Sequence, residues 1–533
     1  MQRMGADAAA ALRALASSLL RLPQPQVVAA VFFASAACTV ALAVLLASLR
    51  LRPPWWCACP VCEAYVTASW AGEFDNLCDW YAHLLRRAPG RTVHVHVLGN
   101  VLTANPPTVD HILRGRFDNY PKGAPFSAIL ADFLGRGIFN VDGDSWRFQR
   151  KLAAAELASP ALRCFAAGVV ASELRCRLIP LLHSACSGGV EKLLDLQDVF
   201  RRFAFDCICR ISFGLDPGCL ELSLPMSAFA DAFDTASTLS ARRAAAPVHV
   251  LWKLKRLLNV GEERELRRAI RLVDALAAEV IRQRRKLAAS GDDLLSRFMG
   301  SINDDKYLRD IVVSFMLAGR DTVASGLTAF FLLLSDHPDV ADAIRDEVSR
   351  VVAAGGGHEH DGGGHPAASE RLIKDMHYVH AALYESMRLF PPVQFDSKFA
   401  AGDDTLPDGT FVARGTRVTY HAYAMGRMES VWGPDCAEFR PERWLRDGRF
   451  VPESPYRYPV FQGGVRVCVG KELAIMEMKS VIVSVVQGFD IEAVGRSSRR
   501  PKFAPGLTAT FAGGVPVRVR RRARGSAALR PPR

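Results

Sequence analysis

A large, mainly α-helical domain is the expectation for this chain of 533 residues, on three observations. Residues 153–295 carry a helical pattern of apolar and charged positions. Residues 307–336 are apolar almost all round, as a helix is when it crosses the middle of a domain. Strand patterns are short, with strict alternation at 92–97 and a hairpin at 507–517 that turns on Gly513-Gly514. Hydrophobic residues make up 50% of the chain and charged ones 23%, so a substantial core can form and wholesale disorder is excluded.

The charge balance argues against nucleic acid as a partner. The formal net charge is +12, but seven arginines lie after Val517 with no acid among them, so much of the excess is one basic tail at 520–533. That tail reads as an exposed arm touching anionic lipid or nothing, and no aromatic-interleaved basic patch accompanies it. The 13 cysteines are scattered singly, as in a reduced, cytosol-facing protein. Cys57, Cys59 and Cys62 are the exception: three thiols beside an apolar segment suit acylation or metal binding, but a fourth ligand is missing and they read as free thiols.

From the start, residues 1–26 are Ala-, Leu- and Ser-rich. Residues 27–49 form a run of 23 without a charge, reaching ~35 Å as a helix against a hydrocarbon core of ~30 Å. The run is longer than the apolar region of a cleaved signal, so it reads as an uncleaved, single-pass anchor in the lipid bilayer. Arg13 and Arg21 before it balance Arg50 and Arg52 after it, which leaves orientation undecided by charge. Pro53-Pro54 ends the helix, making 50–63 a stiff hinge, and the globular domain is expected over 64–519.

Within the domain, Thr92, His94 and His96 share one strand face and read as solvent-facing. Asp144 or Ser145 is placed to cap the next helix, on which Trp146 and Arg150 share a face. Such a pair serves either as a surface cation–π contact or as two donors to one anion. Residues 262–286 are strongly charged and read as a solvent-exposed helix. In the apolar helix, Ala318-Gly319-Arg320-Asp321-Thr322 combines small residues with a hydroxyl able to bond the carbonyl of Ala318. That is either a plain bend or a groove for a small ligand. Residues 353–369 are rich in Gly and His and read as a surface insertion. Glu385 and Arg388 pair at i, i+3, and Arg443, in Phe439-Arg440-Pro441-Glu442-Arg443-Trp444, offers the same carboxylate a second guanidinium.

Near the end stands Phe461-Gln462-Gly463-Gly464-Val465-Arg466-Val467-Cys468-Val469-Gly470, followed by a helix. Gly463 and Gly464 suit a tight positive-φ turn, and Gly470 lets the chain pass close to something flat. A sulfur at a helix N-terminus is favoured as thiolate, the form that binds metal. The alternatives are a structural cysteine, a zinc ligand lacking its Cys-x-x-Cys partner, and a nucleophile lacking an identifiable base.

The spacing of Phe461, Gly464, Arg466, Cys468 and Gly470 resembles the haem-binding loop of the cytochrome P-450 family. The other motifs resemble that family's in order and spacing, over 64–519. The resemblance implies a mainly α fold with a small β-rich lobe, haem b lying between the buried helix and the cysteine loop. Cys468 is implied as the axial ligand of the haem iron, a thiolate that favours O–O cleavage. Phe461 is implied to pack beside the sulfur, Arg466, Trp146 and Arg150 to contact the propionates, and Asp321 and Thr322 to serve O2 activation. Glu385, Arg388 and Arg443 become a structural triad, and the 507–517 hairpin tip enters the substrate cavity.

The implied reaction is monooxygenation with electrons from NADPH through a membrane-bound reductase, on the cytosolic face of the endoplasmic reticulum. Residues 117–123, 137–143 and 470–472 resemble the plant branch that oxidises fatty-acid chain ends and includes jasmonoyl–amino-acid turnover, so a small lipophilic carboxylate is the implied substrate. Val469, where leucine is commoner, and the Gly/His insertion depart from that branch. Two rivals are a reductase-independent haem-thiolate isomerase or dehydratase of lipid hydroperoxides, which has no use for a proton path at Asp321-Thr322, and a non-enzymatic membrane haem sensor.

Overall fold

The computed structural model describes residues 57–522 except 188–192, 222–227, 247–248, 287–292, 355–369, 496–497 and 499–500, together with 35–36 and 39. The expected N-terminal segment, nearly all of the anchor, the first part of the hinge, the Gly/His-rich insertion from 355 and the tail from 523 lie outside the described residues. The chain divides into two compact units, Met1–Glu63 and Ala64–Arg533; the fold below is that of the second.

Helices dominate it. They include α1 (Leu77–Arg87), α2 (Gly123–Leu134), α3 (Gly143–Ala158), α4 (Leu196–Phe213), α5 (Ala228–Ala245) and α6 (Glu262–Lys286). These are followed by α7 (Asp305–Met316), α8 (Thr322–Asp336), α9 (His377–Leu389) and α10 (Lys471–Gly488). A four-stranded sheet forms the β-rich lobe, from β1 (Thr92–Val95), β2 (Asn100–Thr103), β3 (Asp396–Phe399) and β4 (Arg417–Tyr420) in the order β1-β2-β4-β3. β2 runs parallel to β4 with Asn100 opposite Arg417, and β3 runs antiparallel with Asp396 opposite Tyr420. The lobe is therefore assembled from two distant parts of the chain, as a parallel pair requires a long crossover.

The apolar run at 307–336 is the central element. α7 and α8 are one continuous path joined through a wide π-type turn at Leu317–Asp321, and from Val323 to Leu334 every residue of α8 is buried. The span Asp305–Asp336 is long and apolar enough to cross a membrane, but 78% of its most apolar window is buried inside the protein. Core packing therefore accounts for its composition. Gly319 is required by a neighbour: a Cβ there would lie 2.3 Å from Ile208 Cδ1 of α4. The glycine thus serves close helix packing as well as the site, a role its motif does not reveal.

Several local expectations are corrected. The alternating strand ends at Val95, because His96–Leu98 tightens into a turn; His94 and His96 are nonetheless exposed, with rings 4.6 Å apart. Neither Asp144 nor Ser145 caps α3. The N-cap is Asp142, whose carboxylate accepts instead from the backbone N–H groups of Lys122 and Gly123, both at 2.9 Å. α6 is amphipathic, burying Glu263, Leu266, Val273 and Ile281 on one face, with Glu263 ion-paired to Arg243.

The terminal hairpin does not turn on Gly513-Gly514. Its strands are β6 (Phe503–Ala504) and β7 (Thr510–Phe511), which follow β5 (Phe489–Ala493). The two glycines, at φ +74° and +70°, carry the chain on into β8 (Pro516–Arg521), which pairs with β5. Arg520 and Arg521 therefore belong to the sheet, where Arg520 meets Glu492 at 3.1 Å, and the expected tail boundary at 519 falls two residues early.

Candidate functional site

A cavity of about 790 Å³ opens between the cysteine loop, the wide turn of the central helix and the β-rich lobe. Its wall includes Cys468, Phe461, Arg466, Trp146, Arg150 and Thr322, so six of the residues singled out from sequence converge on one space from widely separated parts of the chain. The tip of the terminal hairpin, Gly506 to Ala509, also lines it.

Local geometry presents the cysteine. Gln462 and Gly464 take positive φ, +65° and +60°, while Gly463 is extended. The tight turn thus uses one glycine and one glutamine, not two glycines. A side chain at Gly464 would strike the carbonyl oxygen of Leu113 at 2.2 Å, so both backbone angle and space demand glycine there. The Cys468 N–H donates to the Phe461 carbonyl at 2.8 Å, closing the loop just before α10. The thiol is exposed and lines the cavity. Burial pushes its pKa up, against the opposing pull of the Gly470 N–H, Arg150 and Lys471. Burial therefore works against the helix N-terminus at this sulfur, and a bound cation would favour the thiolate.

Cations gather beside the cysteine. Arg466 pairs with Asp142 at 2.6 Å and lies 4.5 Å over the Trp146 ring, yet its buried Nε has no hydrogen-bond partner. Arg150 is half-buried, with no ion pair among the described residues; burial and Arg466 both press its pKa down. Two further lysines escaped the sequence reading. Lys122 and Lys398 grip the largely buried Asp396 at 2.5 and 2.8 Å, and Tyr420 donates to it at 3.0 Å. Burial opposes ionisation of Asp396, but the two ammonium groups outweigh it and hold the carboxyl well below its usual range. Burial, Lys122 and Arg466 bring Lys398 down to about 7 despite Asp396. Nothing in the pattern Asp396-Ser397-Lys398-Phe399 marks this lysine as inward-facing, because a lysine in a strand normally faces water.

Across the cavity, the Thr322 hydroxyl donates to the Ala318 carbonyl at 2.6 Å, the bond expected from sequence. It stands where the π-type turn widens the helix, a distortion that recurs at functional sites. Asp321 is nearly buried and 3.3 Å from Arg320; burial raises its pKa to about 6 although Arg320 opposes this. Arg320 is 1% exposed and ion-paired to Asp234 of α5 at 2.5 Å.

Glu385, Arg388 and Arg443 form the expected network. Arg388 forks onto both Glu385 oxygens at 2.7 and 2.8 Å, Arg443 Nε donates at 3.2 Å, and Trp444 Nε1 and the Arg440 N–H add bonds at 2.9 and 3.0 Å. None of the three residues lines the cavity, so their place is structural.

The residues fit a thiolate-ligated haem. A lone thiol faces the cavity, the Cβ position of Gly470 meets no atom within 4 Å, and Arg150 and the orphaned Arg466 Nε are donors suited to propionates.

The family model for Cytochrome P450 matches residues 62–511. Cytochrome P450 94C1 of Arabidopsis thaliana is 57% identical over 481 residues, covering 89% of this chain and 95% of its own. Cytochrome P450 94B3 of the same plant is 47% identical, with 84% and 88% covered, and cytochrome P450 94A1 of Vicia sativa 42% identical, with 87% and 90% covered. The fold is shared with the cytochrome P450DA heme domain, at a TM-score of 0.66 and 19% identity over 80% of this chain and 88% of that one. Similarity along nearly the whole of both chains decides between the readings left open by sequence: the protein belongs to the cytochrome P450 family, as a haem-thiolate monooxygenase of its 94 branch.

Proposed function

We propose that this enzyme hydroxylates the terminal carbon of fatty acids or of fatty-acid-derived jasmonoyl–amino-acid conjugates, and carries the product on towards the acid. The observation that carries the reading is the composition of the cavity near Cys468 and Thr322. Leu317 and Val323 flank Thr322 on the central helix, and Leu134, Ile138 and Phe139 add to an apolar lining of the same cavity, which suits an alkyl chain. Electrons come from NADPH through a membrane-bound reductase. Residues 27–49 tether the domain to the cytosolic face of the endoplasmic reticulum, beside the bilayer into which such substrates partition.

Cys468 would hold the haem iron through its sulfur, presented by the loop that its N–H closes onto the Phe461 carbonyl. The group would supply O2 activation, which a cysteine thiolate ligand favours. The chain contributes charge and protons. Arg150, Arg466 and Trp146 would hold the propionates. Thr322 holds a proton at Oγ1, and Asp321, poised near neutrality, resupplies it, a role in which a pKa near the working pH is most effective.

Thr322→Ala removes the hydroxyl without altering the cysteine loop. The variant is expected to keep its haem but to divert NADPH electrons into peroxide; full coupling of electrons to product would count against this role. Product mass spectrometry with a fatty acid and a jasmonoyl conjugate tests the substrate reading. Oxidation confined to mid-chain carbons or to a ring would defeat it.

A further inference from the structure

Arg417 is a further cation of the cavity, one register step from Lys398 across β3 and β4. It lies at the start of β4, lines the same cavity and is half-buried. Its Nε donates to Ser397 Oγ at 2.9 Å and one terminal nitrogen to the Ala244 carbonyl at 3.1 Å. Among the described residues no carboxylate bonds it. Asp396 acts on it only from a distance, and that carboxylate is already gripped by Lys122 and Lys398. Burial presses the Arg417 pKa down, but a guanidinium does not lose its proton in a protein. A charge held this way is costly unless an anion completes it.

Its position along the strand gives the charge a use. Arg417 and Thr419, two apart, share one face of β4, and both line the cavity. At the other end of the strand the Tyr420 hydroxyl reaches Gln462 of the cysteine loop. The two ends lie ~10 Å apart at ~3.3 Å per residue. Tyr65 and Tyr81 also line the cavity, close enough to act on the guanidinium electrostatically. A planar fork with free donors matches a carboxylate, which it can take in bidentate fashion.

We propose that Arg417 is the anchor for the substrate's carboxylate, a specificity residue that holds the acid end away from the cysteine loop and so sets which carbon of the chain reaches the reacting centre. This rests on the reading of the substrate as a lipophilic carboxylate. Arg417 is a binding residue for the end of the substrate that does not react.

The test is a ligand-induced spectral titration of the haem-loaded full chain with dodecanoic acid and with its methyl ester. In R417Q the acid-to-ester affinity ratio is expected to fall about 10- to 100-fold, the worth of a charge-assisted bond, with the ester's own affinity retained. An unchanged ratio, or equal weakening of both ligands, would overturn the anchor and leave Arg417 a brace between Ser397 and Ala244. Should R417Q not load haem, R417K decides: an ammonium loses the fork, so a severalfold fall in the ratio supports the anchor and a wild-type ratio overturns it. If neither this acid, a longer fatty acid nor a jasmonoyl conjugate binds the wild type, the substrate reading itself fails, and the anchor with it.

Discussion

Cys468→Ser is expected to abolish the reduced carbon-monoxide absorption band that marks thiolate ligation, and with it monooxygenation. The cavity-facing sulfur is the one group at the end of the loop that Gly464 and the Phe461 carbonyl bring to the site. Its surroundings favour the anion only partly, since burial outweighs Gly470, Arg150 and Lys471. A serine hydroxyl, far harder to ionise than a thiol, gains even less from the same neighbours. The reduced carbon-monoxide difference spectrum measures the outcome, and a band unchanged from wild type would sink the assignment.

Glu385→Ala is expected to have the second largest effect, through folding. The Arg388 side chain is fully buried, and Glu385 is the one carboxylate it pairs with among the described residues. Removing Glu385 leaves that charge buried without its partner, and deprives Arg443, Trp444 Nε1 and the Arg440 N–H of an acceptor as well. Breaking a buried pair from one side costs ~3–5 kcal/mol. A domain with ~5–15 kcal/mol to lose gives up a large part of its stability by that amount. Little haem-loaded protein should be recovered, whereas Glu385→Gln, which keeps an acceptor, should retain more. Absorbance of the bound haem relative to total protein checks this, and a stable, haem-replete Ala variant would refute it.

Most of the site was legible in the sequence because its parts are local. The cysteine loop, the Ala318–Thr322 hydroxyl bond and the Glu385–Arg388 pair each depend on a few neighbouring residues, and spacing reveals such arrangements. What stayed hidden depends on contacts across the chain. Lys122 and Lys398 meet only at Asp396, and Gly319 is a glycine because Ile208 presses on it from α4. Arg417 becomes notable only once β4 is laid against β2 and β3. The hairpin was misread for the same reason: two glycines looked like its turn, but pairing of the later strand with β5 made them a passage between sheets.

The ion pair between Arg320 and Asp234 joins two jobs that are usually discussed separately. Asp234 belongs to α5, whose later residues Ala241, Ala244 and Ala245 form part of the cavity wall, while Arg320 adjoins the acid that neighbours Thr322. A displacement of α5 large enough to part that pair would change the acid's surroundings. Arg320 would then lean on Asp321 alone, drawing the carboxyl towards its ionised form and away from giving up a proton. The packing of α5 and the acidity of Asp321 are in this way tied together, because Asp234 raises and Arg320 lowers the carboxyl's pKa.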